Sequence, residues 1–223
     1  YAQNNLGWLY EIGRGVVKDL KKAFVWYEKS ANQGYEIAQN NLDKMFTNGV
    51  GVSTDPEKAF EWYKKFALQG NAMAQNNLGF LYEEGEGVTQ SYKKAFEWYT
   101  RAANNGNTLA QMSLGFFYEY GKGTGINYSK AFKWYQKAAN NGDDIAQQSL
   151  GVLYESGKGV KQDLNKAFEW YVKAANQGNK LANESIDVLQ YKFDRSKGLD
   201  EWVKWVEMFA NYGIADAQNA LGF

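Results

Sequence analysis

The sequence predicts an all-α protein, an α/α solenoid of about six repeats with two helices in each repeat. The first observation is a Trp-Tyr pair that returns every 36 residues, with its tryptophan at Trp26, Trp62, Trp98, Trp134 and Trp170. The second is that each of the first five repeats carries two separate glycine signals, one before the Trp-Tyr pair and one after it. A fixed period of about 20 to 50 residues is typical of solenoids, because one such repeat is too small to bury its apolar face alone.

Both elements of each repeat have the spacing of an amphipathic helix. The apolar side chains of the first element recur at i, i+4, i+7 and i+8, which places them on one stripe formed by Ala2, Leu6, Leu9 and Tyr10. The second element has a similar stripe, formed by Leu20, Ala23, Phe24, Tyr27 and Ala31. We therefore expect two helices of about 12 to 15 residues in each repeat, each about 20 Å long.

Polar residues and glycines predict where the second helix begins and ends. Its start lies near a short oxygen-bearing side chain that can accept a backbone N–H, at Asp19, Asp55, Ser91, Ser129 and Asp163. Its end precedes a glycine that suits a left-handed C-terminal cap, at Gly34, Gly106, Gly142 and Gly178. The Gly-x-Gly pairs, such as Gly85 and Gly87, are interpreted as turns between the two helices. They recur in most repeats and lack the Gly-Lys-Ser/Thr ending of a phosphate-binding loop.

The Ala-Gln pair at the start of the first helix sets the repeat boundaries. Repeats start near residues 2, 38, 74, 110, 146 and 182, and a partial repeat starts at 217. The sixth repeat is degenerate, because Phe193 and Arg195 stand where the Gly-x-Gly pair is expected. We predict a single solenoid segment over residues 1–223. Since solenoids need polar terminal caps and neither end supplies one, we expect this segment to belong to a longer protein that is truncated at both ends.

The third repeat shows the consensus pattern most completely. It reads Ala74-Gln75-x-x-Leu78-Gly79-x-x-Tyr82, then Gly85-x-Gly87-Val88, then Lys94-Ala95-Phe96-x-Trp98-Tyr99-x-x-Ala102-Ala103 and Gly106. This pattern resembles the Sel-one-like repeat (SLR), a relative of the tetratricopeptide repeat (TPR), and it covers essentially the whole chain. The resemblance implies a right-handed superhelix that binds peptides or proteins, commonly as an adaptor. It implies no catalytic residues.

Composition excludes several classes of function. The 25 Lys and Arg residues balance 25 Asp and Glu residues, so no basic field exists to attract nucleic acid. The chain has neither cysteine nor histidine, which removes disulfides, cysteine nucleophiles, Cys/His zinc sites and histidine-based triads. No apolar run reaches the roughly 18 residues of a membrane-spanning helix. We therefore predict a non-enzymatic protein without a cofactor or catalytic metal, which does not bind nucleic acid or insert this segment into a membrane.

Two recurring features are interpreted as packing. We expect the tryptophans to lie in the core or between adjacent hairpins, because a residue required in every repeat fits a packing position better than a ligand-stacking ladder. Gly7, Gly79, Gly115 and Gly151 lie inside first helices, where glycine costs about 1 kcal/mol relative to alanine, so we expect close helix contacts there. Asp43, Lys44 and Phe46 make the second repeat irregular.

Function is expected where the repeats differ, on one face of the first helices. The candidate partner-binding residues on this face are Met73, Asn76, Phe80, Glu83 and Glu84 in the third repeat, Met112, Phe116, Glu119 and Tyr120 in the fourth, and Gln148 and Val152 in the fifth. The resemblance to TPR proteins implies that this face lines a concave groove. The face is apolar in its middle and acidic along one edge, which suits a peptide with apolar anchors and some Lys or Arg. The alternative is that Phe80 and Phe116 only pack on the preceding hairpin.

The sequence therefore predicts a scaffold or adaptor that binds a protein or peptide partner in the groove. Two alternatives remain open at this point. One is a targeting or regulatory module fused to an enzyme outside this segment. The other is a secreted bacterial factor that acts on another cell or on the cell wall.

Overall fold

The structure is a computed structural model that describes residues 1–47, 49, 56–196 and 207. Within these residues the chain forms eleven α-helices and no strand, which confirms the all-α class. The helices are α1 (Ala2–Ile12), α2 (Leu20–Ala31), α3 (Glu36–Thr47), α4 (Pro56–Leu68), α5 (Ala72–Glu84), α6 (Tyr92–Asn104), α7 (Thr108–Tyr120), α8 (Tyr128–Asn140), α9 (Asp144–Ser156), α10 (Leu164–Ala175) and α11 (Lys180–Ser196).

The chain divides into two compact units, and each is built from consecutive helices that pack on one another. The first unit spans Tyr1–Ile126 and contains α1 to α7. In it α1 packs on α2, α2 on α3, α4 on α5, α5 on α6 and α6 on α7. The second unit begins at Asn127, and in it α8 packs on α9, α9 on α10 and α10 on α11. This is the helical-hairpin packing expected of an α/α repeat, whereas one continuous array over residues 1–223 stays a prediction.

Inside a hairpin, a tyrosine ring of the second helix packs directly against a glycine of the first. At Gly79 in α5, an added Cβ atom would lie 2.8 Å from the ring of Tyr99 in α6. The same relation holds for Gly7 with Tyr27 at 2.7 Å and for Gly151 with Tyr171 at 2.3 Å. Real Cβ atoms do not approach aromatic carbons this closely, so glycine is required if the ring is to lie there. The close helix contacts predicted at these three glycines are confirmed.

The glutamine of the Ala-Gln pair joins three helices. Gln75 is only 5% exposed, and its side-chain nitrogen donates to the carbonyl of Ala67 in α4 at 3.0 Å. Its side-chain oxygen accepts from Asn105, just after α6, at 2.9 Å. In the second compact unit Gln147 likewise donates to Ala139 at 3.2 Å and accepts from Gln177 at 2.8 Å. Both ends of the buried amide are therefore satisfied, one by the preceding repeat and one by its own.

In the third and fourth repeats, the second glycine of the Gly-x-Gly turn touches the start of the preceding second helix. Gly87 has φ 66°, and an added Cβ atom would lie 2.2 Å from the carbonyl oxygen of Pro56 at the start of α4. Gly123 stands in the same relation to Tyr92 at the start of α6, also at 2.2 Å. A side chain is therefore excluded by both backbone conformation and space. These contacts support the interpretation of the glycine pairs as structural turns.

The second helices are capped by side-chain oxygens, with one correction to the sequence prediction. Asp19, Ser91 and Asp163 accept from the backbone N–H three residues later, as predicted. At α8 the prediction was wrong, because Asn127 accepts from Lys130 at 2.9 Å and Ser129 is already the second residue of the helix. In these four repeats the cap lies six residues after the first glycine of the turn, and Ser129 lies beyond that spacing. Asp55 lies outside the described residues.

The glycines after the second helices have positive φ angles between 81° and 93° at Gly34, Gly106, Gly142 and Gly178, as predicted. The residue that follows each glycine brings a cap that the sequence analysis missed. Asn107 accepts from the N–H of Ala110 at 2.9 Å and begins α7. Asn71, Asp143 and Asn179 do the same for α5, α9 and α11. One short segment therefore ends one helix and begins the next.

The tryptophans are less buried than the sequence analysis expected. Tyr99 is 2% exposed, whereas the adjacent Trp98 is partly exposed, and the Arg101 guanidinium lies 4.4 Å from its ring centroid. Adjacent helical residues point about 100° apart, so a helix that turns Tyr99 onto α5 places Trp98 at the edge of the contact. Trp62 packs on Phe24 and Trp170 packs on a buried cluster. The packing interpretation is therefore supported for these two, but in the first, fourth and fifth repeats the largest fully buried side chain is a tyrosine.

The sixth repeat departs from the others in the way the sequence indicated. Helix α11 has 17 residues and continues through Phe193 and Arg195, where the other repeats have a glycine turn. Without glycine the chain has no residue suited to the left-handed conformation, and the helix does not end there. The rest of this repeat, including Trp205 and the partial repeat predicted at 217, lies outside the described residues.

We predict that Gly79→Ala lowers the free energy of unfolding by about 1 to 2 kcal/mol. Alanine favours a helix by about 1 kcal/mol, but the new methyl group collides with the Tyr99 ring, and overpacking of this kind costs about 1 to 3 kcal/mol or more. Urea unfolding measures the change. In a Tyr99→Leu background the same substitution should be neutral or stabilising, and stabilisation in the otherwise unchanged chain would contradict the packing argument.

Candidate functional site

The candidate surface in the first compact unit lies on α5 and α7. We define the aromatic face as Met73 and Phe80 of α5 together with Met112, Phe116 and Tyr120 of α7. Phe80 exposes 46% of its surface and Tyr120 exposes 60%. Phe116 is partly buried, and its ring centroid lies 4.5 Å from that of Tyr120. Met73 and Met112 are also partly buried. The structure thus leaves two large rings accessible on consecutive first helices.

Glu83, predicted on the same face, is held inside the hairpin by a tyrosine hydroxyl. Tyr99 donates to the Glu83 carboxylate at 2.9 Å. The same bond joins Tyr27 to Glu11 at 2.5 Å and Tyr171 to Glu155 at 2.7 Å. In each case the glutamate lies one turn after the glycine that receives the ring. The hydrogen bond therefore completes the ring-on-glycine contact, and Glu83 has a structural role.

Lys122 is a member of this surface that the sequence analysis missed. Its ammonium nitrogen lies 3.2 Å from Glu83, 4.8 Å from the ring centroid of Phe116 and 5.0 Å from that of Tyr92. Lys122 stands between Gly121 and Gly123, and the Gly-x-Gly pattern predicted a turn there without indicating a contact for the lysine. The pair neutralises Glu83, and the edge predicted to be acidic is therefore less acidic than the sequence suggests. Glu84 is exposed on this edge, whereas Glu119 is partly buried.

Asn76 contributes an unpaired acceptor beside the aromatic face. Its side chain is 7% exposed, and its amide nitrogen donates to Asn77 at 3.2 Å. Its amide oxygen is buried and has no hydrogen-bond partner among the described residues. A buried acceptor without a donor lowers stability by roughly 1 to 3 kcal/mol. Among the described residues, the Asn76 side-chain oxygen is thus one of few buried polar atoms without a hydrogen-bond partner.

The two candidates from the fifth repeat lie on α9 in the second compact unit. Val152 packs against a buried cluster that includes Tyr154 and Phe168, so its role there is in the core. Gln148 is partly buried. Within the described residues, no group of three or more acidic side chains is placed to hold a metal ion. No described helix combines the length and the apolar character that a membrane span requires.

The buried tyrosines have altered acid–base behaviour. Burial, and then the negative charge of Glu83, raise the pKa of Tyr99 well above its usual value near 10. Burial and hydrogen bonding to Glu11 or Glu155 do the same to the pKa of Tyr27 and Tyr171. The folded chain therefore keeps these hydroxyls protonated at alkaline pH, where an unfolded chain would lose the protons. These tyrosines contribute stability below about pH 10 that declines as the pH rises further.

We predict that Tyr99→Phe flattens the alkaline loss of stability. Each tyrosine kept protonated only in the folded state lowers the free energy of unfolding by about 1.4 kcal/mol per pH unit above pH 10. The variant should lose about 1 to 3 kcal/mol at neutral pH, because the hydrogen bond to a charged group is gone. Its stability should then fall less steeply than that of the unchanged chain between about pH 10 and 12. Urea unfolding across this range measures both slopes, and parallel curves would contradict the assignment.

The chain is built of helical hairpins that have a regular packed side and a variable face. This arrangement places it in the class of helical-repeat scaffolds. The Sel1 repeat matches residues 1–35, 37–71, 72–107, 108–143 and 144–179, and the chain belongs to the Sel1 repeat family. Proteins of this family are generally protein–protein interaction modules on a non-enzymatic scaffold fold. The predicted SLR membership and TPR-like fold are thereby confirmed.

Solved structures of bacterial SLR proteins are similar to this chain. A protective antigen present in uropathogenic Escherichia coli strains is 34% identical with a TM-score of 0.78, over 97% of this chain and 47% of that one. The chain thus spans about half the length of that protein. A Sel1 repeat protein from Oxalobacter formigenes is 36% identical with a TM-score of 0.74, over 93% of this chain and 83% of that one.

A more distant structure shares the fold alone. An immunity protein from Pseudomonas aeruginosa is 19% identical with a TM-score of 0.51, over 100% of this chain and 84% of that one. A search of curated proteins finds no match.

Proposed function

We propose that this chain is a non-catalytic scaffold or adaptor that binds a protein or peptide partner through the aromatic face. The observation that carries the proposal is the exposure of Phe80 and Tyr120 on first helices whose recurring residues are buried. Packing accounts for the recurring residues, and it does not account for large rings left in water. Aromatic side chains of this kind are the usual anchors of protein interfaces.

The chemistry of the face favours apolar anchors in the partner, with charge in a secondary role. Phe80, Phe116 and Tyr120 offer rings, and the methionines beside them supply adaptable apolar side chains. Because Lys122 neutralises Glu83, the exposed Glu84 is left as the clearest acidic contact for a partner lysine or arginine. We propose an extended or helical segment as the bound form, lying along the first helices in the groove that the resemblance to TPR proteins implies.

We predict that Phe80→Ala combined with Phe116→Ala weakens partner binding by about 2 to 4 kcal/mol, because aromatic anchors are typical hot spots. The immobilised chain is used to capture partners from an extract of its source, the captured protein is identified, and its dissociation constant is then measured by calorimetry. Phe80→Ala alone should give a large part of the effect, since this ring is the more exposed of the two.

Val25→Ala is the matched control, because Val25 is an apolar side chain of α2 that is 43% exposed and lies outside the aromatic face. It should leave the dissociation constant unchanged. Circular dichroism and thermal unfolding establish that each variant is folded. Full affinity in a folded double variant, or an equal loss in the Val25 variant, would refute the proposal.

A further inference from the structure

The second repeat departs from the others at three positions that line one pocket. Asp43 stands where four other repeats have the helix glycine, Phe46 stands where they have tyrosine, and Phe66 stands where they have serine or alanine. All three line a pocket in the first compact unit between α3, α4 and α5, together with Trp62 and Tyr63. The three substituted positions are separated in the sequence but lie together around one pocket. Independent neutral changes at single positions would not be expected to cluster in this way.

Asp43 has a direct physical effect on the packing of its hairpin. In the first and third repeats a tyrosine ring lies on the glycine, at distances that exclude any Cβ atom. Asp43 has a Cβ atom, so the ring of Tyr63 cannot occupy the equivalent place. Tyr63 is 8% exposed, compared with 0% for Tyr27, and its hydroxyl bonds to Asp43 itself. Tyr63 therefore lies at the wall of the pocket that Asp43, Phe46 and Phe66 also line.

The hydrogen bonds to the Asp43 carboxylate come from neutral groups. It accepts hydrogen bonds from the Tyr63 hydroxyl and from the side-chain nitrogen of Asn77 in α5. No ion pair among the described residues involves it. Lys65, which lies 5.9 Å from the Trp62 ring centroid, instead donates to Asn32 at 2.6 Å. Burial raises the pKa of Asp43, whereas its hydrogen bonds to Tyr63 and Asn77 and the nearby charge of Lys44 lower it.

Aromatic rings line the pocket beside this carboxylate. Phe46 and Trp62 have ring centroids 5.7 Å apart, and Phe66 lies 5.1 Å from Trp62. Rings attract cations through their faces, and a carboxylate attracts them by charge. A planar guanidinium satisfies both at once, because it stacks on rings and presents a fork of N–H donors to a carboxylate. An ammonium group is a more strongly hydrated point charge and fits such a pocket less well.

We propose that the pocket around Asp43 is a subsite for an arginine side chain of the bound partner. This inference rests on the proposed function and deepens it. Asn40 and Met73 also line the pocket, and they occupy variable positions of α3 and α5. The pocket therefore adjoins the face on which the partner is proposed to lie. The guanidinium pairs with Asp43 and packs against Phe46 and Trp62.

The test uses the full chain and needs no partner. N-acetyl-L-arginine amide is titrated into the ¹⁵N-labelled chain and followed by amide chemical shifts. N-acetyl-L-citrulline amide, which has nearly the same shape and no charge, is the control ligand. We expect saturable shifts around Asp43, Phe46 and Trp62 with arginine, and at least about tenfold weaker binding of citrulline, equivalent to about 1.4 kcal/mol.

Two variants test whether the negative charge that binds arginine is that of Asp43. Asp43→Asn keeps the size and one acceptor for Tyr63, and it should weaken arginine binding at least about tenfold. Glu36→Gln removes an exposed acid from the start of α3, the helix that carries Asp43, and should leave the affinity unchanged. Equal binding of arginine and citrulline, full affinity in the Asp43 variant, or the absence of saturable shifts would each overturn the proposal. If Asp43→Asn does not fold, the comparison of the two ligands on the unchanged chain decides the question.

The outcome is separate from that of the partner-binding experiment. Failure of arginine to bind would remove the subsite and leave the aromatic face as proposed. Loss of partner binding on substitution of Phe80 and Phe116 tests that face independently of Asp43.

Discussion

The contact of a tyrosine ring with a helix glycine governs how the hairpins pack. Because Gly79 has no side chain, α5 and α6 approach until Tyr99 fills the space between them, and the hydroxyl then bonds to Glu83. The small residues of the second helix follow from this approach, since Ala95 and Ala102 are completely buried. Most recurring residues are therefore committed to packing. What remains free to vary is one face of the first helix, and a partner can be recognised there without disturbing the fold.

The second repeat shows what happens when this contact is altered. Replacement of glycine by Asp43 does not remove the tyrosine but redirects its hydroxyl to the new carboxylate. Phe46 and Phe66 then occupy space next to the displaced ring. The helices of the altered repeat still pack on the neighbouring repeats, because α3 contacts α2 and α4 contacts α5. The altered interior of this repeat adjoins the variable face. Asp43 from the interior and Met73 from the variable face therefore line the same proposed subsite.

The fold was predictable from the sequence because a period of 36 residues and two glycine signals constrain the helices strongly. Finer features were less accessible. The periodicity could not decide whether Trp98 or Tyr99 faces the first helix, since both follow the same period. The pairing of Glu83 with Lys122 joins residues 39 positions apart, which a helical wheel does not show. The cap at Asn127 was missed because Ser129 had the right chemistry at the wrong spacing. The exposure of Phe80 agrees with the variable face, whereas its partner-binding role remains a proposal.

The hydrogen bonds of the buried glutamines Gln75 and Gln147 limit how such a chain can gain repeats by duplication. The amide of Gln75 needs a carbonyl from the helix before it and an amide from the helix after it. Duplication of a block one full period long supplies both partners to every copy. A block of another length would strand the amide in the interior, at roughly 1 to 3 kcal/mol for each unmet group. A spacing of 36 residues places both hydrogen-bond partners within reach of Gln75 and of Gln147.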